Sequence, residues 1–124
     1  MRIVGIGVDV VEVDRVRGIL DRRPGFGERV FTPEEVARCN DAADPPQCLA
    51  ARWAAREAAV KALGGVPRLA YTDITVEVGD EGSPTLTLSG AARERADELG
   101  ADRVLVSLSH ERSLAAAFCI AVGD

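Results

Sequence analysis

The 124-residue chain is short of several residue types that usually populate functional surfaces. It has one lysine, one histidine, one tryptophan and one tyrosine, and aromatics make up 4% of it. It lacks any apolar run long enough to cross a bilayer, so no membrane association is expected. Its first residues, MRIVGIGVDV, have neither the apolar core nor the small-residue cleavage site of an export signal. An excess of positive charge is missing too. The net charge of −5 argues against nucleic acid as a partner. Cysteines number three, Cys39, Cys48 and Cys119, and their spacing fits no zinc motif. The expectation is free thiols in a reducing cytoplasm, with Cys119 packed in a strand. Repeats, low-complexity tracts and interdomain linkers are also absent. Together with a 47% hydrophobic content, this predicts one domain over residues 1–124.

Against this sparse background a few residues stand out. Fourteen of the fifteen basic residues are arginine, leaving Lys61 as the sole lysine, and His110 is the sole histidine. The stretch GIGVDVVEV, residues 5–13, reads as a strand. With side chains alternating between faces, Ile3, Gly5, Gly7, Asp9, Val11 and Val13 share one side. Val4, Ile6, Val8, Val10 and Glu12 share the other. Asp9 thus lies among valines and glycines, where a carboxylate is costly unless it is paired or binds a cation. An exposed edge-strand face, an arginine salt bridge and a cation site are all open readings.

Further along, residues 14–30 read as a short helix with Asp14 as N-cap, stopped at Pro24-Gly25. Arg15, Arg17, Arg22 and Arg23 make it basic, either as a solvated face or as a docking patch. FTPEEVARC begins with a helix-start signal: Thr32 at N-cap, Pro33 at N1 and Glu35 at N3 of a capping box. QCLAARWAAREAAVKALGG, residues 47–65, is an alanine-rich helix ending at Gly64-Gly65. Leu49, Trp53, Val60 and Leu63 form its apolar stripe, and the alanines predict burial on several sides. Glu57 flanks that stripe. It either pairs with Lys61 at i,i+4 or serves as a second unusual carboxylate. Residues 71–88 read as two strands around the GDEGSP turn, and 89–100 as a helix capped by Ser89 and Gly100. Residues 103–122 read as two strands joined at HERS. On the first of them Val104, Val106, Leu108 and His110 share a face. A histidine there is either structural or placed to hold a phosphate.

Three of these segments together resemble one family. GIGVDVVEVDRV, RWAAREAAVKALG and the closing VSLSHERSLAAAFCIAV match, in order and spacing, the small holo-acyl-carrier-protein synthases, which are 4′-phosphopantetheinyl transferases. The resemblance covers essentially the whole chain. It implies an α+β fold, a small single domain with a mostly antiparallel sheet packed on the long alanine-rich helix. It also implies transfer of 4′-phosphopantetheine from coenzyme A to a carrier-protein serine, with 3′,5′-ADP released and Mg2+ required, in fatty-acid or polyketide biosynthesis. By resemblance, Asp9 and Glu57 hold the magnesium and Lys61 reaches the substrate phosphates, making these three the catalytic set. Arg52, Lys61, Gly64, Pro84 and His110 fall at coenzyme A-binding positions. Arg15 and Arg22 fall where the acidic acyl carrier protein docks. The resemblance also implies a homotrimer with active sites between subunits.

The chain departs from the family pattern at three places. Arg56 stands where lysine is usual, Val60 where a small polar residue is common, and Gly64-Gly65-Val66-Pro67 where a Gly-Thr-Gly loop is common. They motivate an alternative from another class, a carrier-protein-binding module with impaired catalysis. Magnesium suits the carboxylate pair on chemical grounds, since it prefers hard oxygen ligands and is usually held by one or two carboxylates plus substrate phosphates.

Overall fold

A computed structural model describes all residues, 1–124. In chain order the elements are β1 (Arg2–Glu12), α1 (Val13–Arg22), α2 (Phe26–Val30), α3 (Pro33–Asn40), α4 (Pro45–Ala62), a single 3₁₀ turn (Tyr71–Asp73), β2 (Ile74–Val78), β3 (Pro84–Leu88), α5 (Gly90–Leu99), β4 (Arg103–Glu111) and β5 (Leu114–Gly123). The fold is α+β, and every strand pairing is antiparallel. The strands form two sheets: a three-stranded one in the order β1-β5-β4 and a separate β2-β3 hairpin.

The alanines of α4 make this arrangement possible. Ala54, Ala55, Ala58, Ala59 and Ala62 are all buried, and they form the main core with Ala117, Cys119 and Ala121 of β5. Small residues on both surfaces let helix and sheet approach closely. At β1 the approach reaches the main chain. A Cβ on Gly7 would collide with the carbonyl oxygen of Ala58, and one on Gly5 with that of Ala62. The two glycines that share a face with Asp9 are therefore the seat of α4. As expected for an all-round apolar helix, ten residues of α4 are buried, among them two arginines.

The capping box at the start of α3 forms as the sequence predicts. Thr32 Oγ1 accepts from the Glu35 N–H at 3.1 Å, and Glu35 Oε1 accepts from the Thr32 N–H at 3.0 Å. The other Glu35 oxygen accepts from the Val76 N–H of β2 at 2.9 Å. Arg38, one turn later, donates to the Val78 carbonyl at 3.2 Å. Two side chains of α3 thus satisfy the edge of β2 that lies away from β3.

Several expectations need correction. Cys39 and Cys48 are not free thiols: they form a disulfide, with Cα atoms 5.4 Å apart. The turn after α3 folds the chain back so that its last residues meet the first turn of α4, a proximity invisible in residue spacing. Cys119 is free and buried as expected, and burial pushes its thiol up to about 12. Asp14 is not an N-cap. Glu12 occupies that position, and Asp14 lies in the first turn, where its charge still favours the helix dipole. Ser89 is at the N-cap of α5 but makes no side-chain cap bond. A bulge between Ile3 and Gly5 breaks the strict alternation of β1, because one extra residue swaps the faces on either side of it. Val4 consequently packs against the core, and Ile3 is exposed. The five-residue α2 was not foreseen within 14–30.

Candidate active site

β1 and α4 together position the two unusual carboxylates. The backbone contact between Gly7 and Ala58 lies two residues from Asp9 and one from Glu57. Both side chains line one cleft of about 390 Å³, beside Glu12, Arg15, Phe31 and Trp53. Lys61 Nζ donates to Asp9 Oδ1 at 3.1 Å and to the Val8 carbonyl at 3.0 Å. Lys61 is therefore paired with Asp9 and not with Glu57, its i,i+4 neighbour. None of the five ion pairs in the chain involves Glu57. The cleft thus presents hard oxygen donors from two elements, with the Lys61 ammonium bonded to one of them. That donor set fits a magnesium ion shared with substrate phosphates.

A second cavity, of about 440 Å³, lies on another side of α4. Arg52, Cys48, Asp44, Pro84, Leu108 and His110 line it. Three of the residues expected to bind coenzyme A, Arg52, Pro84 and His110, therefore meet in one place. The other two do not. Lys61 and Gly64 lie 9 and 12 residues beyond Arg52, roughly 13 and 18 Å along the helix direction. Arg52 and Glu57, five residues apart, point about 140° apart around α4. Arg52 is 5% exposed. Its Nη1 donates to Cys48 Sγ at 3.1 Å, and its buried Nε has no partner. Burial lowers its pKa from the ordinary arginine value, against the opposing pull of Glu35.

The basic segment is also sorted by the fold. Arg17 makes a two-pronged contact with Asp44, at 3.2 and 3.0 Å, tying α1 to the start of α4. The Arg17 hydrogen bond holds the Asp44 carboxyl below its usual range. Arg17 is thereby taken out of the docking patch. Arg22 and Arg23 instead join Arg29 and Tyr71 around a shallow depression of about 550 Å³, while Arg15 faces the carboxylate cleft.

Arg56, the departure beside Glu57, faces none of these three hollows. It is 3% exposed and sits over the rings of Phe31, Trp53 and Tyr71, with centroid distances of 4.7, 5.3 and 5.8 Å. Its Nη1 donates to the carbonyls of Val30 and Tyr71. Val60 packs against the core. Both departures therefore act on packing. Sequence reasoning missed Trp53 and Glu12 as cleft residues, because a helix-face tryptophan reads as core and Glu12 falls on the opposite side of an ideal strand.

Residues 5–119 match the family model of the 4′-phosphopantetheinyl transferase superfamily. The chain belongs to this superfamily. Within it the chain is a holo-[acyl-carrier-protein] synthase-type enzyme. The holo-[acyl-carrier-protein] synthase of Streptomyces avermitilis is 44% identical over 123 residues, covering 99% of this chain and all of that one. Solved synthases share the fold. That of Neisseria meningitidis superposes with a TM-score of 0.87 at 32% identity, over 98% of this chain and 99% of its own. That of Bacillus anthracis, in complex with CoA (3′,5′-ADP), gives 0.80 at 31% identity, covering 98% of each. No helix of the phosphopantetheinyl transferase chain is long and apolar enough to cross a membrane.

Proposed function

We propose that residues 1–124 work as one magnesium-dependent transferase domain in the cytoplasm, moving 4′-phosphopantetheine from coenzyme A to a serine of an apo acyl carrier protein in fatty-acid or polyketide biosynthesis. The observation that carries this reading is the convergence of Asp9 and Glu57 on one cleft, set by main-chain contact at Gly7. The serine oxygen attacks the β-phosphorus of the coenzyme's pyrophosphate. The bond from that phosphorus to the bridging oxygen breaks, 3′,5′-ADP leaves, and the hydroxyl proton passes through a basic oxygen at the cleft to solvent. Asp9 and Glu57 would hold the magnesium, which when bound neutralises charge on the pyrophosphate. Lys61 exchanges its contact with Asp9 for the substrate phosphates. Arg52, Pro84 and His110 hold the nucleotide end, and Gly64 leaves the backbone open at the far end of α4. Arg15 and Arg22, with Arg23 and Arg29, receive the acidic carrier protein, so docking rests on a local patch within an acidic chain.

Because Arg52 and Glu57 point to different sides of α4, one chain does not bring the two groups into one cavity. A homotrimer with active sites between subunits would complete the site, and the exposed apolar face of the larger sheet supplies the surface for it. Ile6, Val8 and Val10 of β1 are 61%, 53% and 59% exposed, and they pair with Ile120, Phe118 and Ala116 of β5. Arg56 and Val60 serve packing, which leaves the Gly64-Gly65-Val66-Pro67 loop as the one departure behind the impaired-module alternative. The test incubates the protein with apo carrier proteins, coenzyme A and magnesium and reads intact carrier mass. Asp9→Asn and Glu57→Gln are each expected to slow transfer by about a hundredfold or more, and chelation of magnesium to stop it. Undiminished transfer by both variants would discard the carboxylate assignment.

A further inference from the structure

Cys48 occupies a position that the transfer reaction does not explain. The Cys39–Cys48 bridge joins the end of α3 to the first turn of α4. Cys39 is fully buried, whereas Cys48 is partly exposed and lies on the wall of the cavity that holds Arg52 and His110. Its sulfur accepts a hydrogen bond from Arg52 Nη1, while the buried Nε of the same guanidinium has no partner. The disulfide also anchors α3, which holds β2 through Glu35 and Arg38. Val78 at the end of β2 and Pro84 at the start of β3 line the same cavity. The bond therefore touches both the Arg52 guanidinium and, through α3, the hairpin wall of the same cavity.

We propose that Cys39–Cys48 is a thiol-exchange site, attacked at Cys48, whose oxidised form binds nucleotide phosphate at the Arg52 cavity more tightly than the dithiol form. This rests on the reading that the cavity takes the nucleotide end of coenzyme A. A low-molecular-weight thiolate entering the cavity attacks Cys48 Sγ. A mixed disulfide forms there, and Cys39 leaves as thiolate. A second thiolate attacks the outer sulfur of the mixed disulfide, releasing the small disulfide and leaving two cysteine thiols. The Cys39–Cys48 disulfide gains two electrons and two protons, and the two small thiols that supply them leave as their own disulfide. A Cys48 thiolate freed against Arg52 is stabilised by that cation and offsets the charge that would meet a phosphate. Release of α3 loosens the opposite wall at the same time. In a reducing compartment a protein disulfide is usually transient and redox-sensing, and the siting of this one on a ligand cavity fits that use.

The experiment measures binding of 3′,5′-ADP, which carries no thiol, to the full chain by calorimetry before and after phosphine reduction. Reduction is expected to weaken binding about tenfold, the scale of one screened charge contact, and to leave a Cys39→Ser/Cys48→Ser variant unchanged. A brief pulse of glutathione followed by acid quench and peptide mapping is expected to find the adduct on Cys48. Equal affinity in both states, or an adduct on Cys39, overturns the inference. So does an absence of 3′,5′-ADP binding in both states while carrier modification continues, an outcome that leaves the transferase reading standing. Loss of carrier modification in every state discards the transferase reading, and the affinity ratio still decides the exchange site.

Discussion

At the scale of single residues, Arg56 shows how a departure from a family pattern can be read. Its guanidinium is buried under three rings and bonded to two carbonyls, one at the end of α2 and one in the 3₁₀ turn. A planar cation suits both roles. Truncation would leave two carbonyls short of a donor and open a cavity beneath Trp53. Arg56→Ala is expected to lower unfolding free energy by about 3 kcal/mol, and Arg56→Lys, which keeps a donor and a charge, by about 1 kcal/mol. Urea titration of both variants checks the order. Equal losses would mean that the aromatic contacts, and not the carbonyl bonds, carry the effect. Cys119 is the opposite case, since its raised pKa and full burial make it inert.

At the scale of elements, α3 acts as a strut between α4 and the β2-β3 hairpin. Glu35 serves its own helix with one oxygen and β2 with the other. Glu35→Ala is expected to cost about 1–3 kcal/mol and to speed hydrogen exchange at the Val76 amide, while exchange within β4 and β5 changes little. Uniform acceleration across the chain would indicate global destabilisation without a local tie. This element also marks how far the sequence carries. The start of α3 was legible because Thr32, Pro33 and Glu35 report local chemistry, and α4 because its composition is so biased. All five strands were legible from alternation and turn residues. What was not legible depends on contacts between elements: the Cys39–Cys48 bridge, the second role of Glu35, the bulge that turns Val4 inward, and the capture of Arg17 by Asp44. For the candidate site, the joint role of Asp9 and Glu57 followed from resemblance, and the two residues line one cleft. The separation of Arg52 and His110 from Lys61 and Gly64 required the helix to be seen in place.

At the scale of the whole molecule, the larger sheet has two unlike faces. The inner one is filled by small residues against α4. The outer one exposes Ile6, Val8, Val10, Leu105 and Phe118, an apolar surface of the kind that marks association sites. For the proposed trimer, Val8→Glu is expected to shift the protein to monomer by analytical ultracentrifugation and to reduce transfer, while far-ultraviolet circular dichroism is preserved because the position is exposed. A monomer with full transfer would place the whole site within one subunit. The seating of α4 on Gly5 and Gly7 carries a further consequence for how such a chain can change length. Main chain rests on main chain there, so no rotamer can absorb a slip. One residue inserted between Gly7 and Asp9 would turn the carboxylate to the far side of the sheet, and one inserted between Glu57 and Ala58 would swing the other by about 100°. The turn at residues 79–83 has no such constraint, and tolerated insertions and deletions should gather there, whereas the bend at 41–44 is closed by the Cys39–Cys48 bridge and the Arg17–Asp44 contact.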